Sequence, residues 1–178
     1  MDRFVDWLYS DVQLNRKTIE TNDSQLARRN YLRSLFAYYE LMLSYMRETT
    51  AKLLVDEFDL AGEWKIHEIY PLMDETARLT EQGQLKLDKN RLPFLPVVAY
   101  TLRSYARQVG FRKEMFSDNG WNAFRESIKI RNRITPPKIQ SEIEIADEEL
   151  LIIDKSWSWW NDIMKQLREA HYQKLVNG

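Results

Sequence analysis

Cationic side chains cluster on both sides of two consecutive prolines in this sequence. Arg131 and Asn132 adjoin each other near the end of a predicted helix. A guanidinium fork suits phosphate geometry and can offset charge that gathers on phosphoryl oxygens. The cations of this stretch, with one acid among them, are Arg125, Lys129, Arg131, Arg133 and Lys138. The stretch therefore predicts a binding site for RNA phosphates or another anion.

A plainer interpretation of the same cations carries equal weight. They would form a solvated helix face paired with the acidic stretch from Glu142 to Glu149. The net charge of −1 gives a nucleic acid no global attraction, so only a local patch could hold one. A second cationic group, Arg28, Arg29 and Arg33, could form another anion-binding wall. Its preferred interpretation is surface salt bridges, because acids such as Asp23 and Glu40 are close by in sequence.

Few side chains are suited to moving a proton near neutral pH. The two histidines, His67 and His171, are distant in sequence from Arg131, and ordinary surface or boundary positions are the preferred interpretation of both. Cysteine is absent, and no His-x-x-x-His pair or glycine-rich phosphate loop occurs. A Ser/His/Asp triad stays open, although no nucleophile-elbow pattern supports one. We expect no metal and no cofactor.

Length and composition indicate the elements that must position these residues. A chain of 178 residues suits a single domain spanning residues 1–178. Glycine and proline number five each, which is too few to form the turns between many short strands. The sequence therefore predicts an all-α fold, an antiparallel bundle of about five to six helices. No apolar run approaches the roughly 20 residues of a membrane span, so we expect no membrane partner and a cytoplasmic location.

Helical spacing of apolar residues gives the individual elements. A weakly amphipathic helix is predicted from Phe4 to about Ile19, and a strong one from the caps at Asn22–Ser24 through Leu54. The second helix is apolar on two sides, so it is either central or at a dimer interface, and we expect a homodimer. A short helix over Glu63–Asp74 and a loop or small extended segment over Gly83–Asn90 follow.

Three more helices complete the prediction. One lies between Pro93 and Gly110, and the next begins near Ser117 or Asp118 and ends before the prolines. The last begins near Asp147, with carboxylates in its first turn. Its tryptophans, Trp157, Trp159 and Trp160, are predicted to pack in the core rather than to stack on bases, although the helical spacing leaves Trp159 unexplained.

The segment Ile130–Lys138 resembles the motif of the HEPN superfamily (higher eukaryotes and prokaryotes nucleotide-binding). In that family an arginine and a polar residue precede a histidine by a few positions at a helix end. Arg131 and Asn132 match the motif, and Pro137 fits the last position of its common Arg-Asn-x-x-x-His-Pro form. Lys138, the next residue, also looks similar to the family. Pro136 stands where the family has its histidine. A looser likeness extends over most of the chain.

This resemblance implies metal-independent RNA cleavage, in which the 2′-hydroxyl attacks the adjacent phosphate and two motifs meet across a dimer. Arg131 would stabilise phosphoryl charge, and Asn132 would orient a neighbour. Proline cannot transfer a proton, and loss of a general acid or base typically removes roughly 10²- to 10⁴-fold of rate. We therefore expect a relative of toxin-antitoxin and phage-defence RNases that is catalytically impaired.

Such an impaired domain would act as a homodimer that binds RNA, a cognate antitoxin or another protein. Its anion-binding residues would be Arg125, Lys129, Arg133 and Lys138 beside Arg131. The alternative is an active HEPN endoribonuclease toxin that uses Arg131 and an unidentified acid or base. Whether the chain is an enzyme stays open on the sequence alone.

Overall fold

The computed structural model describes residues 3–61, 69–73, 75–89, 92–135, 137 and 139–177. Helices dominate these residues, and the prediction of an all-α helical bundle is confirmed. The α-helices are α1 (Arg3–Thr21), α2 (Gln25–Ala61), α3 (Tyr70–Met73), α4 (Phe94–Gln108), α5 (Asn119–Arg133) and α6 (Asp147–Asn177). A short 3₁₀ helix (Gln140–Ile143) precedes α6, and two strands, β1 (Glu75–Leu79) and β2 (Leu85–Lys89), form a hairpin.

The chain divides into two compact units. Unit 1 comprises Met1–Met42 and Lys113–Tyr172, and unit 2 comprises Leu43–Arg112 and Gln173–Gly178. Unit 1 therefore contains α1, the first half of α2, α5 and most of α6. Unit 2 contains the rest of α2, α3, the hairpin, α4 and the end of α6.

One carboxylate, that of Asp154 on α6, connects three helices of unit 1. Arg16 on α1 and the Tyr31 hydroxyl on α2 each donate a 2.9 Å hydrogen bond to it. Burial raises the pKa of Tyr31 well above its ordinary value, so this hydroxyl keeps its proton and stays a donor. The Tyr9 ring lies 5.6 Å from that of Trp157, so α1 runs antiparallel to α6.

The central helix of unit 1 is α2. Its Tyr39 ring centroid lies 4.6 Å from Trp160 on α6 and 5.4 Å from Phe124 on α5. Because Tyr31 contacts Asp154 while Tyr39 contacts Trp160, α2 and α6 run in the same direction. The side chains of α2 that unit 1 buries most completely are Tyr31, Leu32, Leu35 and Tyr39. From its sequence, α2 could be central in the fold or lie at a dimer interface. The structure shows that it is central in unit 1.

A chain of hydroxyl groups crosses this aromatic core. Ser127 on α5 donates to the carbonyl of Phe124 at 2.8 Å, which uses its only proton. Ser156 on α6 must then donate to Ser127 across 3.1 Å, and Tyr39 must donate to Ser156 across 3.3 Å. Three buried hydroxyls are thus satisfied where α2, α5 and α6 meet.

The tryptophans of α6 lie in or against the core, as predicted. Trp160 is fully buried, and Trp159 packs 5.3 Å from Trp121 on α5. Trp157 is half-buried against aromatic rings of α1 and α2. The buried side of α6 also includes Ser156. The spacing of apolar residues could not predict this position, because serine is polar. These rings hold helices together and are not available as a stacking platform for bases.

Unit 2 contains an element that the sequence did not predict. The hairpin pairs β1 with β2 in antiparallel register from Glu75 opposite Lys89 to Leu79 opposite Leu85. Gly83 turns the chain with φ of 72°. The extended segment expected after Gly83 is β2, whereas β1 was not predicted. Of the short helix expected over Glu63–Asp74, the described part contains α3.

The end of α4 follows the sequence prediction. Gly110 has φ of 71° at the position after the C-cap, where a left-handed residue is usual. The next amide, that of Phe111, donates 2.8 Å to the carbonyl of Ala106 and closes the helix end. At its start, Pro93 is the N-cap residue.

The close approach of α5 to α6 at Gly120 generates a stability prediction. A Cβ at Gly120 would lie 2.6 Å from the Cβ of Trp159, an atom fixed to the α6 backbone. We expect Gly120→Ala to lower the free energy of unfolding by about 1–3 kcal/mol in urea denaturation, because the helices must separate. The exposed neighbour gives a control, since Asn119→Ala should change it by less than about 0.5 kcal/mol. Equal stability of the two variants would contradict this tight contact.

Candidate functional site

The motif helix α5 is fixed at both ends. The Asp118 carboxylate accepts a 2.8 Å hydrogen bond from the Trp121 amide and caps its start, as predicted. The Ile134 amide donates 3.1 Å to the carbonyl of Ile130 at its other end. The helix thus ends at Arg133, before the prolines. Pro136 and Lys138 lie outside the residues that the structure describes.

Arg131 occupies the last turn of α5 and already has partners. It donates 3.0 Å to a carboxylate oxygen of Glu40 and 3.3 Å to the side-chain oxygen of Asn132. Its guanidinium carbon lies 5.7 Å above the ring of Phe36. The side chains of Arg131 and Glu40 are 39% and 49% exposed, so the pair lies at the surface. Arg131 is therefore neither buried nor isolated.

Two of the other predicted anion-binding residues are also paired with carboxylates. Arg133 holds both oxygens of Glu149 at 2.8 and 2.7 Å, which is the pairing with the acidic stretch that the plainer interpretation predicts. Lys129 lies 2.7 Å from Glu126 on an exposed face. Arg125 is exposed on α5. The structure thus brings these cations onto one helix but assigns acidic neighbours to most of them.

A groove of about 770 Å³ lies beside the end of α5 in unit 1. Two arginines, Arg28 and Arg133, contribute to its wall. Five carboxylates line it, those of Asp23, Glu144, Asp147, Glu148 and Glu149. Its formal charge is therefore negative, which opposes the approach of phosphate groups.

Arg28 joins the start of α2 to the start of α6. It binds both carboxylate oxygens of Asp23, one oxygen of Asp147 at 2.6 Å and the carbonyl of Ile145 at 2.7 Å. Hydrogen bonds with Asp23 and Asp147 raise its pKa further, so it stays charged. The salt bridge expected between Arg28 and Asp23 is present, but Arg28 is buried and not at the surface as expected. Arg29 reaches a backbone carbonyl, that of Ile143, at 3.3 Å.

The one histidine that the structure describes, His171, does not lie near Arg131. His67 lies outside the described residues. His171 is in the last turns of α6, whereas Arg133 at the end of α5 binds Glu149 near the start of α6. At 1.5 Å per residue, His171 lies roughly 33 Å further along that helix. We call the end of α5 around Arg131 and Arg133 the motif corner. Among the residues that the structure describes, no imidazole lies near it.

The residues that sequence reasoning missed are the acidic partners. Glu40, expected near the arginines of α2, instead binds Arg131 on α5. Asp154, which holds Arg16 and Tyr31, gave no signal at all. Both contacts join residues far apart in the chain, so no local pattern could have indicated them.

The Arg28 cluster generates a prediction about pH. The hydrogen bond from Arg28 holds the pKa of the Asp23 carboxyl below its ordinary value. A lowered pKa contributes stability above the unfolded value of about 3.9, and this contribution is lost as the pH falls through the folded value. We expect wild type to be more stable than Asp23→Asn at pH 7, and the difference to narrow below about pH 4. Chemical denaturation at both pH values measures it, and a difference independent of pH would contradict it.

No family model, curated protein or solved structure matches the chain. The described residues contain no helix that is both long and apolar enough to cross a membrane. Within the same part of the chain, no group of three or more histidine, aspartate or glutamate side chains could hold a metal ion. What the chain does is therefore inferred from its own side chains.

Proposed function

We propose that this chain is a HEPN-like helical module that acts by binding a partner and does not cleave RNA. Its sequence carries the arginine and asparagine of the family motif in Arg131 and Asn132, and a proline, Pro136, at the histidine position. Cleavage needs a group that moves protons, and proline has none. The likeness to HEPN proteins supports this proposal together with the all-α fold.

The observation that carries the proposal is the pairing of the motif cations. Arg131 shares its donors between Glu40 and Asn132, and Arg133 gives a bidentate hydrogen bond to Glu149. An arginine that stabilises phosphoryl transfer must direct its donors at the phosphate. Here those donors are directed at carboxylates and one side-chain amide oxygen of the same unit.

The charge of the neighbouring groove indicates the kind of partner. Its wall carries five carboxylates against two arginines, and all of these residues belong to unit 1. A basic segment of another protein, such as a cognate antitoxin or a regulatory subunit, complements this wall, whereas an RNA backbone does not. The protein partner is therefore the better-supported occupant of the motif corner.

RNA is the second candidate at this corner, and one observation favours it. The pair between Arg131 and Glu40 is at the surface, where such pairs contribute only about 0–1 kcal/mol. A phosphate could displace the carboxylate at small cost. An active endoribonuclease toxin would in addition require an acid or base at this corner.

Nuclease assays test the proposal directly. Wild type, Arg131→Ala and Pro136→His proteins are incubated with mixed RNA under chelator, and the products are resolved on denaturing gels. We expect no cleavage by wild type or Arg131→Ala, because neither has a proton carrier at the motif. Cleavage by Pro136→His alone would identify a disabled nuclease scaffold. Robust wild-type cleavage that Arg131→Ala abolishes would overturn the proposal.

We also propose that the module is a homodimer, with α1 rather than α2 at the interface. Phe4, Trp7 and Leu14 follow one face of α1 and are 48%, 63% and 65% exposed. Two antiparallel copies of α1, centred between Ser10 and Asp11, would place each Trp7 against a Leu14 across the two-fold axis. Such self-complementarity is what a two-fold symmetric interface requires.

Light scattering tests the dimer. We expect wild type at high concentration to have twice the 21.4 kDa mass of the chain. Trp7→Ser/Leu14→Ser should be monomeric, because it removes the apolar stripe from both sides of the interface. Leu151→Ser is the control, since Leu151 on α6 is exposed to a similar extent, at 60%. A wild-type monomer, or a dimer that the double substitution leaves intact, would contradict this interface.

A further inference from the structure

The helices α1 and α5 contact opposite sides of α6. Asp154 accepts a hydrogen bond from α1, and the Trp157 ring packs on a ring of α1. Ser156 and Trp159 contact side chains of α5 instead. Each of these two residues comes two positions after one of the first pair, which is a rotation of about 200° around the helix. The contacts with α1 and α5 therefore lie on opposite sides of α6.

The helix α2 separates α1 from α5 in the same way. The guanidinium carbon of an α1 arginine lies 5.9 Å from the Tyr31 ring centroid, and an α1 tyrosine ring lies 5.8 Å from that of Tyr38. Phe36 and Tyr39 lie about 90–150° further around α2 and contact α5. Within unit 1, α2 and α6 thus form a layer with α1 on one side and α5 on the other.

The exposed apolar stripe of α1 points away from this layer. Val5 and Val12 are buried, at 5% and 0% exposure. Trp7 and Leu14 each follow one of these valines by two residues and are exposed. They therefore project about 200° around the helix from its buried side. A dimer interface on this stripe lies on the far side of unit 1 from α5.

We infer that the homodimer is bivalent: its two motif corners lie on opposite outer faces, and each binds its own basic segment of a partner protein. This inference rests on the proposed function, because it uses both the α1 interface and the basic partner. Packed helices lie roughly 8–10 Å apart, so α5 is about 14–17 Å from α1 across the layer of α2 and α6. With a second copy in contact through α1, the two α5 helices are about 35–45 Å apart.

Each motif corner is complete without a residue of the other copy. All five carboxylates of its groove belong to unit 1 of one chain. Three of them hold the two arginines of the groove. The other two, those of Glu144 and Glu148, are exposed and make no hydrogen bond or ion pair within the residues that the structure describes. These two carboxylates are the ones that a basic segment would contact.

The α1 interface and the motif corner do not block each other, because they are on opposite sides of unit 1. Binding of a partner should therefore leave the dimer intact, and each corner should bind one segment. A partner with two basic segments would bind more tightly than one segment alone if the chain between them spans the distance between the corners. The arrangement thus fits a partner that presents two basic segments.

Distances between spin labels test the arrangement in the full-length dimer. The chain has no cysteine, so one introduced cysteine gives one label per copy. Thr135→Cys, just after the end of α5, should give a distance of at least about 35 Å between copies in double electron–electron resonance. Lys17→Cys on α1 is the control and should give about 20–25 Å, because it is close to the interface. A distance below about 35 Å for Thr135→Cys, as motifs that meet across a dimer would give, overturns the inference.

Calorimetric titration with a hexa-arginine peptide tests the number of binding sites. An extended peptide of six residues spans at most about 20–22 Å, so it cannot reach both corners. We expect one peptide per chain, hence two per dimer, with the dimer preserved in light scattering. Glu144→Gln/Glu148→Gln should bind the peptide about fivefold more weakly. The control Asp162→Asn/Glu169→Gln removes two exposed acids elsewhere on α6 and should bind nearly as wild type does.

The outcomes separate this inference from the proposed function. A wild-type monomer, or a chain that binds no hexa-arginine, would defeat the proposed function and the bivalent arrangement with it. One peptide per dimer, or a dimer that dissociates when the peptide binds, would defeat the bivalent arrangement alone. Equal loss of affinity in the two double variants would place the peptide outside the groove and overturn the inference as well.

Discussion

The packing of Tyr39 against Phe124 and Trp160 is the interaction on which unit 1 depends, because three helices meet there. All three rings are fully buried, and the Tyr39 hydroxyl is satisfied through Ser156. Large aromatic rings bury much surface and also prefer particular packing geometries. They are therefore compatible with few arrangements of the surrounding helices. The packing of its buried side chains therefore fixes the position of α5. That position in turn determines where the charged side chains of the helix lie.

The ion pairs of unit 1 join cations and carboxylates from distant parts of the chain, as at Arg28 with Asp147 and Arg131 with Glu40. The groove beside the end of α5 nevertheless carries five carboxylates against two arginines. A net charge near zero thus conceals a locally acidic surface. Whole-chain charge is a poor guide to what such a protein binds.

Much of the helical fold could be predicted from sequence, because the signals are local. Asp118 at a helix start and Gly110 after a helix end act within a few residues, and both behave as expected. Strand β1 was missed, because Glu75–Leu79 has little apolar alternation. At the candidate site, the cations and their helix were predicted, whereas the partner of Arg131 was not. A contact between residues 40 and 131 depends on the tertiary fold, which periodicity does not encode.

Gly120 and Ser127 give α5 a narrow side that lies against α6. Turning α5 about its own axis would drive larger side chains into the indole of Trp159 or separate the two serine hydroxyls. The helix can consequently pack against α6 in only one rotation about its own axis. The direction in which the Arg131 side chain leaves the backbone thus depends on Gly120 in the first turn of α5 and on Ser127 one turn before Arg131. Larger residues at either position would change the direction of the guanidinium without contacting it.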